Sequence, residues 1–183
     1  FRRQRQMCIR DRPLPDPVHR IAAGCIVHDP KIDKYLVINS HEMGDYSFIF
    51  GGLEEGETYI DAAIRETLEE TGYKTRFTRY ISDEIESHFY HPGKKVNRAL
   101  ISRRILLELE DENQQTVANE ELLKHEPVWL TKDELKSNLL HPEQAYSVDL
   151  LFNPQLFTGS GNLCNSGEFD GMDSDSAKQA LSL

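Results

Sequence analysis
The sequence predicts an α/β fold, a mixed sheet with helices packed on its faces. Three observations lead there. β-rich runs and helical stretches alternate irregularly along the chain. One stretch in the middle has helical periodicity with a cap signal at each end. The composition is that of an ordinary globular core, with 38% apolar and 28% charged residues in 183.

The elements follow in order. Residues 20–29 (RIAAGCIVHD) and 34–40 (KYLVINS) are β-rich around a polar turn and read as a hairpin. Residues 46–52 (YSFIFGG) form a short strand ending on Gly51 and Gly52. Residues 58–72 (TYIDAAIRETLEETG) form a helix, with Thr58 at its N-cap and Gly72 placed to end it. Residues 74–91 alternate as one or two strands, 91–95 (HPGKK) turn, and 96–110 return as a long strand. Residues 111–126 are polar loop with a short helix, 127–130 (PVWL) are the last strand, and 131–140 and 143–152 are helical. Residues 1–17 read as a disordered or artefactual arm, 18–153 as the folded domain and 154–183 as a separate tail. The chain opens on Phe1 and stops at Leu183, which makes it a fragment in this reading.

Several settings are excluded by composition. No apolar run reaches the length of a membrane span, and no signal peptide is visible. The cysteines Cys8, Cys25 and Cys164 lack metal-type spacing and read as reduced thiols of a cytoplasmic protein. A net charge of −10 argues against general nucleic-acid affinity and suits a cation site.

The chemistry concentrates between Gly51 and Tyr73. Glu54, Glu55 and Glu57 precede the helix, and Glu66, Glu69 and Glu70 lie on it. At about 100° per residue, Ile60, Ala63, Ile64, Thr67, Leu68 and Thr71 share the side that packs on a sheet. The three helical glutamates fill an arc of about 100° elsewhere, as exposed acids that add little to packing. Like charges at this spacing repel. Arg65 is placed to pair with Glu69 or with Glu57. A pair of acids on a helix is ordinarily a solvated face. Three with a glycine-hinged acidic loop beside them also make a hard-oxygen site suited to Mg²⁺ or Mn²⁺.

The pattern G-x5-E-x7-R-E-U-x-E-E-x-G-U, with U a bulky apolar residue, is the signature of Nudix hydrolases, and this sequence resembles it. Gly51, Glu57, Arg65, Glu66, Glu69, Glu70 and Gly72 fall at every required spacing. Thr67 and Tyr73 depart from the usual residue at two packing positions. The resemblance implies an α/β/α sandwich over residues 18–153 and hydrolysis of a nucleoside diphosphate linked to another group. It implies Mg²⁺ or Mn²⁺ on Glu66, Glu69 and Glu70, with Arg65 holding the acids in place. Glu66 or Glu70 takes the proton of the attacking water. Gly51, Gly52, Glu57 and Lys95 are expected on the substrate side.

The tail, from Leu156, resembles a segment of leucyl-tRNA synthetase next to its editing region. Thr158, Gly159, Gly161, Leu163, Asn165, Ser166, Gly167, Glu168, Phe169, Gly171 and Ala177 carry the likeness. Some bacterial synthetases of this type bear a Nudix-like insertion, which residues 88–99 and 124–130 resemble. That context implies tRNA as a partner through the parent synthetase. Three roles remain open: a metal-dependent pyrophosphohydrolase, a non-catalytic module that positions tRNA, or direct hydrolysis of a mischarged ester.

Weaker signals complete the reading. Lys94, Lys95, Arg98, Arg103 and Arg104 form a phosphate-facing patch or scattered solvated charges, and strand alternation sends Arg103 and Arg104 to opposite faces. His88 and His91 line a pocket or a half-buried strand. Trp129 packs in the core, with base stacking as the lesser alternative.

Overall fold
The computed structural model describes residues 15–41, 44–91 and 95–153, the side chains of Phe89 and His91 excepted. The synthetase-like tail, Cys8, Cys164 and Lys94 lie outside the described residues.

Strand β1 (Val18–Asp29) lies at the centre of the sheet, beside β7 (Val96–Leu109). The two run parallel, from Val18 opposite Arg98 to His28 opposite Glu108. The other pairings are antiparallel, so the sheet is mixed, as expected. The far edge of β1 is divided between two partners. β4 (Ile49–Gly52) takes residues 22–25, and β2 (Lys34–Ser40) takes residues 27–29. β3 (Tyr46–Ser47) and β8 (His125–Leu130) pair with β2. β5 (Thr75–Tyr80) and β6 (Ile85–His91) pair with β7.

Alternation along β1 sends Ala23, Cys25 and Val27 to one face and Ile26 to the other. On the first face they meet α1 (Tyr59–Thr71) through Tyr59, Ala62 and Ala63. On the second face Ile26 joins Leu135 and Leu139 around α3 (Lys132–Asn138), and Val148, Leu150 and Leu151 of α4 (Pro142–Phe152). A third short helix, α2 (Asn119–Lys124), leads directly into β8. Helices on both faces make the α/β/α sandwich. No helix among the described residues is long and apolar enough to cross a membrane.

Local chemistry explains the ends of α1. The Thr58 hydroxyl accepts from the Asp61 N–H at 3.2 Å, and the Asp61 carboxylate accepts from the Thr58 N–H at 3.1 Å. This reciprocal pair closes the N-terminus. Gly72 ends the helix at φ 74°, where its N–H donates to Leu68 O at 2.8 Å. A Cβ there would lie 2.3 Å from Gln115 O, so glycine is required by space as well as by conformation.

Three sequence expectations are corrected. The strand at 46–52 is broken at Phe48, whose backbone N–H donates to Gln144 Oε1 of α4 at 2.9 Å rather than to a neighbouring strand. The last strand begins at His125, because β2 supplies partners as far as Ser40. The packing side of α1 is rotated from the expected one: Tyr59 and Ala62 are buried with Ala63, Thr67 and Thr71, while Ile60, Ile64 and Leu68 are half-buried.

Candidate metal-dependent active site
The site grows from the junction of β4 and α1. β4 ends in Gly51 and Gly52, the chain turns through Glu54–Glu57, and α1 begins one residue after Thr58. Arg65, one turn and a half into α1, folds back over this turn. Its Nε and Nη2 donate to the two oxygens of Glu57 at 2.6 and 2.8 Å. Nη2 also donates to Gly52 O at 2.9 Å, and Nη1 to Glu66 Oε1 at 2.9 Å and Glu69 Oε2 at 3.2 Å. Both pairings expected for Arg65 are therefore present. Glu57 Oε2 in turn accepts from the Glu54 N–H at 2.8 Å, so one guanidinium fixes loop, strand end and helix together.

Position decides the charge behaviour of each acid. The hydrogen bond from Arg65 holds the Glu57 carboxyl below the usual carboxylate range. Burial raises Glu66, against the pull of Arg65. Burial pushes Glu70 up to about 8, and the neighbouring Glu66 and Glu121 add to it. Glu69 is the one clearly exposed member, with 58% of its side chain accessible against 17% for Glu66 and 19% for Glu70. The expectation of three exposed acids is corrected here: Glu66 packs over β4 and Glu70 is walled in by α2 and β8. Arg65 itself is held in its charged form by Glu57 first and Glu66 second.

Gly51 has a steric role. A Cβ on it would lie 1.8 Å from Glu66 Cγ, so the Glu66 side chain crosses the glycine in direct contact. Thr67, unusual at an apolar position, is buried with its hydroxyl donating to Ala63 O at 2.7 Å. Tyr73 fills the other unusual position by an edge contact with Trp129, ring centroids 5.4 Å apart. Trp129 packs against the α1-side core, as expected.

Among the described residues, no three His, Cys, Asp or Glu side chains are gathered as a ready metal cage. Arg65 occupies oxygens of Glu66 and Glu69, while Glu70 points the other way, toward β8. The donor chemistry nonetheless fits a hard divalent cation. The oxygens are carboxylate, and Glu70 Oε2 is buried without a hydrogen-bond partner among the described residues.

The remaining candidates do not join this group. Lys95 sits in the β6–β7 turn at φ 51°. In register, Gly51 lies opposite Ala23 and Ala23 opposite Arg103. Lys95 is thus roughly 25 Å along β7 from the acid helix, at about 3.3 Å per residue. Arg103 and Arg104 do face opposite sides. Arg103 lies 3.8 Å from the Tyr80 ring centroid, on the α1 side. Arg104 is no part of a surface patch: it is fully buried, bonding Ser102 at 2.6 Å and Ser147 of α4 at 2.9 Å. Burial holds its pKa down to about 10. His88 is buried on β6 and engaged with Glu86 at 3.0 Å. Sequence reasoning missed His125, a buried histidine 4.0 Å from Glu70. Its proximity depends on β8, which local sequence does not reveal.

A three-layer α/β/α fold thus carries an acid helix clamped by Arg65 to the end of β4. The NUDIX domain model matches residues 18–151, and the chain belongs to that family. A curated relative, the NAD-capped RNA hydrolase NudC of Photorhabdus laumondii subsp. laumondii, is 32% identical over 65 residues. That stretch is 34% of this chain and 25% of the relative, so the chain matches about a quarter of that protein. Among solved structures, a NUDIX hydrolase from Nitrosomonas europaea matches with a TM-score of 0.53 at 18% identity, over 74% of this chain and 89% of that one. A UDP-X diphosphatase matches with a TM-score of 0.53 at 13% identity, over 76% and 64%. At these identities the structural likeness speaks for the fold.

Proposed function
We propose that this domain is a Mg²⁺- or Mn²⁺-dependent pyrophosphohydrolase that cleaves a nucleoside diphosphate linked to a second group. The observation that carries the reading is the Arg65 clamp, which ties Glu57, Glu66 and Glu69 to the end of β4. A helix that served only as a solvated face has no use for so much fixed charge in one place. The names of two relatives, an NAD-capped RNA hydrolase and a UDP-X diphosphatase, both describe substrates built on a pyrophosphate bridge.

In this reading Glu66, Glu69 and Glu70 hold the divalent cation. When bound, it neutralises the diphosphate and makes coordinated water more acidic. Arg65 holds the carboxylates of Glu57, Glu66 and Glu69 in place, a role one step removed from the cation. Glu57 fixes the loop that approaches the substrate. Glu66 or Glu70 accepts the proton of the attacking water. Gly51 leaves room for the Glu66 side chain to cross it, and Gly52 ends the strand beside the acidic loop.

The test is an assay of NAD, nucleotide sugars, dinucleoside polyphosphates and oxidised nucleoside triphosphates, each with and without Mg²⁺. Divalent-dependent release of a nucleoside monophosphate, lost in Glu70→Gln, is expected. No turnover on any of them, from folded protein with metal bound, leaves the non-catalytic module as the better account. A synthetase setting, with tRNA as partner, rests on the sequence likeness of residues 88–99, 124–130 and 156–183. Extending the reading frame on both sides tests it directly.

A further inference from the structure
The wall of the site opposite Arg65 holds two buried polar atoms that face each other. Glu70 Oε2 and His125 Nε2 are 4.0 Å apart, too far for a hydrogen bond. Each is buried, and neither has a hydrogen-bond partner among the described residues. His125 as a whole is 7% exposed. Buried polar atoms are nearly always paired, so two orphans in one place ask for a shared ligand.

We propose that this ligand is a divalent cation, held between Glu70 Oε2 and His125 Nε2, with His125 as a nitrogen ligand of the site. The separation suits it. Carboxylate oxygens and imidazole nitrogens bind such ions at about 2.0–2.2 Å. Two ligands of one octahedral ion therefore lie about 3 Å apart when adjacent and about 4.2 Å when opposite. A closing movement of about 1 Å brings the pair to the adjacent arrangement, and an opening of about 0.2 Å to the opposite one. The backbone supports this placement: His125 is fixed opposite Ser40 in the β2–β8 ladder, while Glu70 stands in the last turn of α1. Two independent elements thus present one donor each. The other charges facing Glu70 are Glu66 and Glu69 on its own helix, and Glu121 and Lys124 on α2. Lys124 is paired with Glu121 at 2.5 Å.

This inference rests on the metal-dependent reading above. It adds selectivity: an imidazole nitrogen favours transition ions over Mg²⁺, which prefers an all-oxygen shell. Mn²⁺ binding is therefore expected to be tighter than Mg²⁺ binding, and His125→Gln should remove most of that preference.

The experiment is pulsed electron paramagnetic resonance on the full chain loaded with Mn²⁺. Protein made with ¹⁵N-histidine should show nitrogen coupling to the manganese, changed from the ¹⁴N pattern of unlabelled protein. The coupling should vanish in His125→Gln, together with a loss of Mn²⁺ affinity of at least about tenfold, the loss typical even of residues one step removed from a metal. Labelling the wild type keeps the test intact if that variant does not fold. Mn²⁺ bound with no nitrogen coupling, and hydrolysis intact, overturns His125 as a ligand and leaves the hydrolase reading standing. No Mn²⁺ binding at all overturns both.

Discussion
Arg65 grips Glu57 through both carboxylate oxygens, Nε to Oε1 at 2.6 Å and Nη2 to Oε2 at 2.8 Å. The two residues come from different elements, helix and loop, and the fork is the joint between them. A lysine has no planar pair of donors with which to replace it. Arg65→Lys should reduce metal affinity and turnover by about 10–100-fold. Glu57→Gln should lower both in the same direction. Because one joint is lost either way, the double variant should be little worse than Arg65→Lys alone. Calorimetry with Mn²⁺ and steady-state kinetics on all three variants check this, and strictly additive losses would show that the two residues act separately.

Glu70 carries a buried oxygen with no hydrogen-bond partner among the described residues. A charge in that position is costly in the metal-free protein. Glu70→Gln should lower turnover by roughly 10²–10⁴-fold, the usual share of a proton-transfer group. The same change should leave the metal-free melting temperature unchanged or raise it by about 2–4 °C, the shift expected for about 1 kcal/mol in a domain of this size. Calorimetric melts in the presence of a chelator decide it. A marked fall in Tm would mean that the carboxylate is a structural member of the fold.

Gly51 and Glu66 occupy space that an added methyl would contest at 1.8 Å. Gly51→Ala should displace the Glu66 side chain and destabilise the domain by about 1–3 kcal/mol, as overpacking does. Activity should fall further than stability, because the displaced group is one of the proposed cation ligands. Urea titration and initial rates, measured side by side, give the comparison. Wild-type rates in Gly51→Ala would contradict the observed contact.

Cys25 is a free cysteine with no accessible surface on the α1-side of β1. Burial pushes its thiol far above the usual range. The thiolate is the reactive form, so Cys25 should resist alkylation by iodoacetamide in the native protein and react once urea unfolds it. Peptide mass spectrometry at Cys25 reads the difference, and rapid labelling under native conditions would show that the α1 layer opens easily.

The sequence reveals those parts of the molecule that depend on near neighbours. Thr58, Asp61 and Gly72 cap α1 by contacts within a few residues, and Arg65 reaches Glu69 by helical spacing alone. Other features depend on remote partners. Phe48 leaves its strand because Gln144 arrives from α4. Arg104 is charged yet buried because Ser102, Ser147 and Phe50 enclose it, the last at 4.5 Å from its guanidinium carbon. His125 meets Glu70 only after β8 has paired with β2. Thr67 departs from the usual residue at its packing position, and its hydroxyl is satisfied by its own helix at Ala63 O. Alternation along a strand tells which face a side chain takes, and not what waits there.

The parallel ladder between β1 and β7 joins the beginning of the domain to a strand that follows β6, with α1 in the intervening chain. Such a pairing must close a long loop before any contact rewards it. Folding is therefore expected to be slow for a domain of this length, with the rate set by that encounter. Until it occurs, the α1 face lacks Ile105 and Leu107, which β7 contributes to the core beneath it. The acid helix then rests on an incomplete core, and the seven acidic side chains of residues 54–71 remain on a segment with weaker packing. An emerging chain would hold this segment in waiting through the synthesis of β5 and β6, and the wall that His125 adds would follow only with β8.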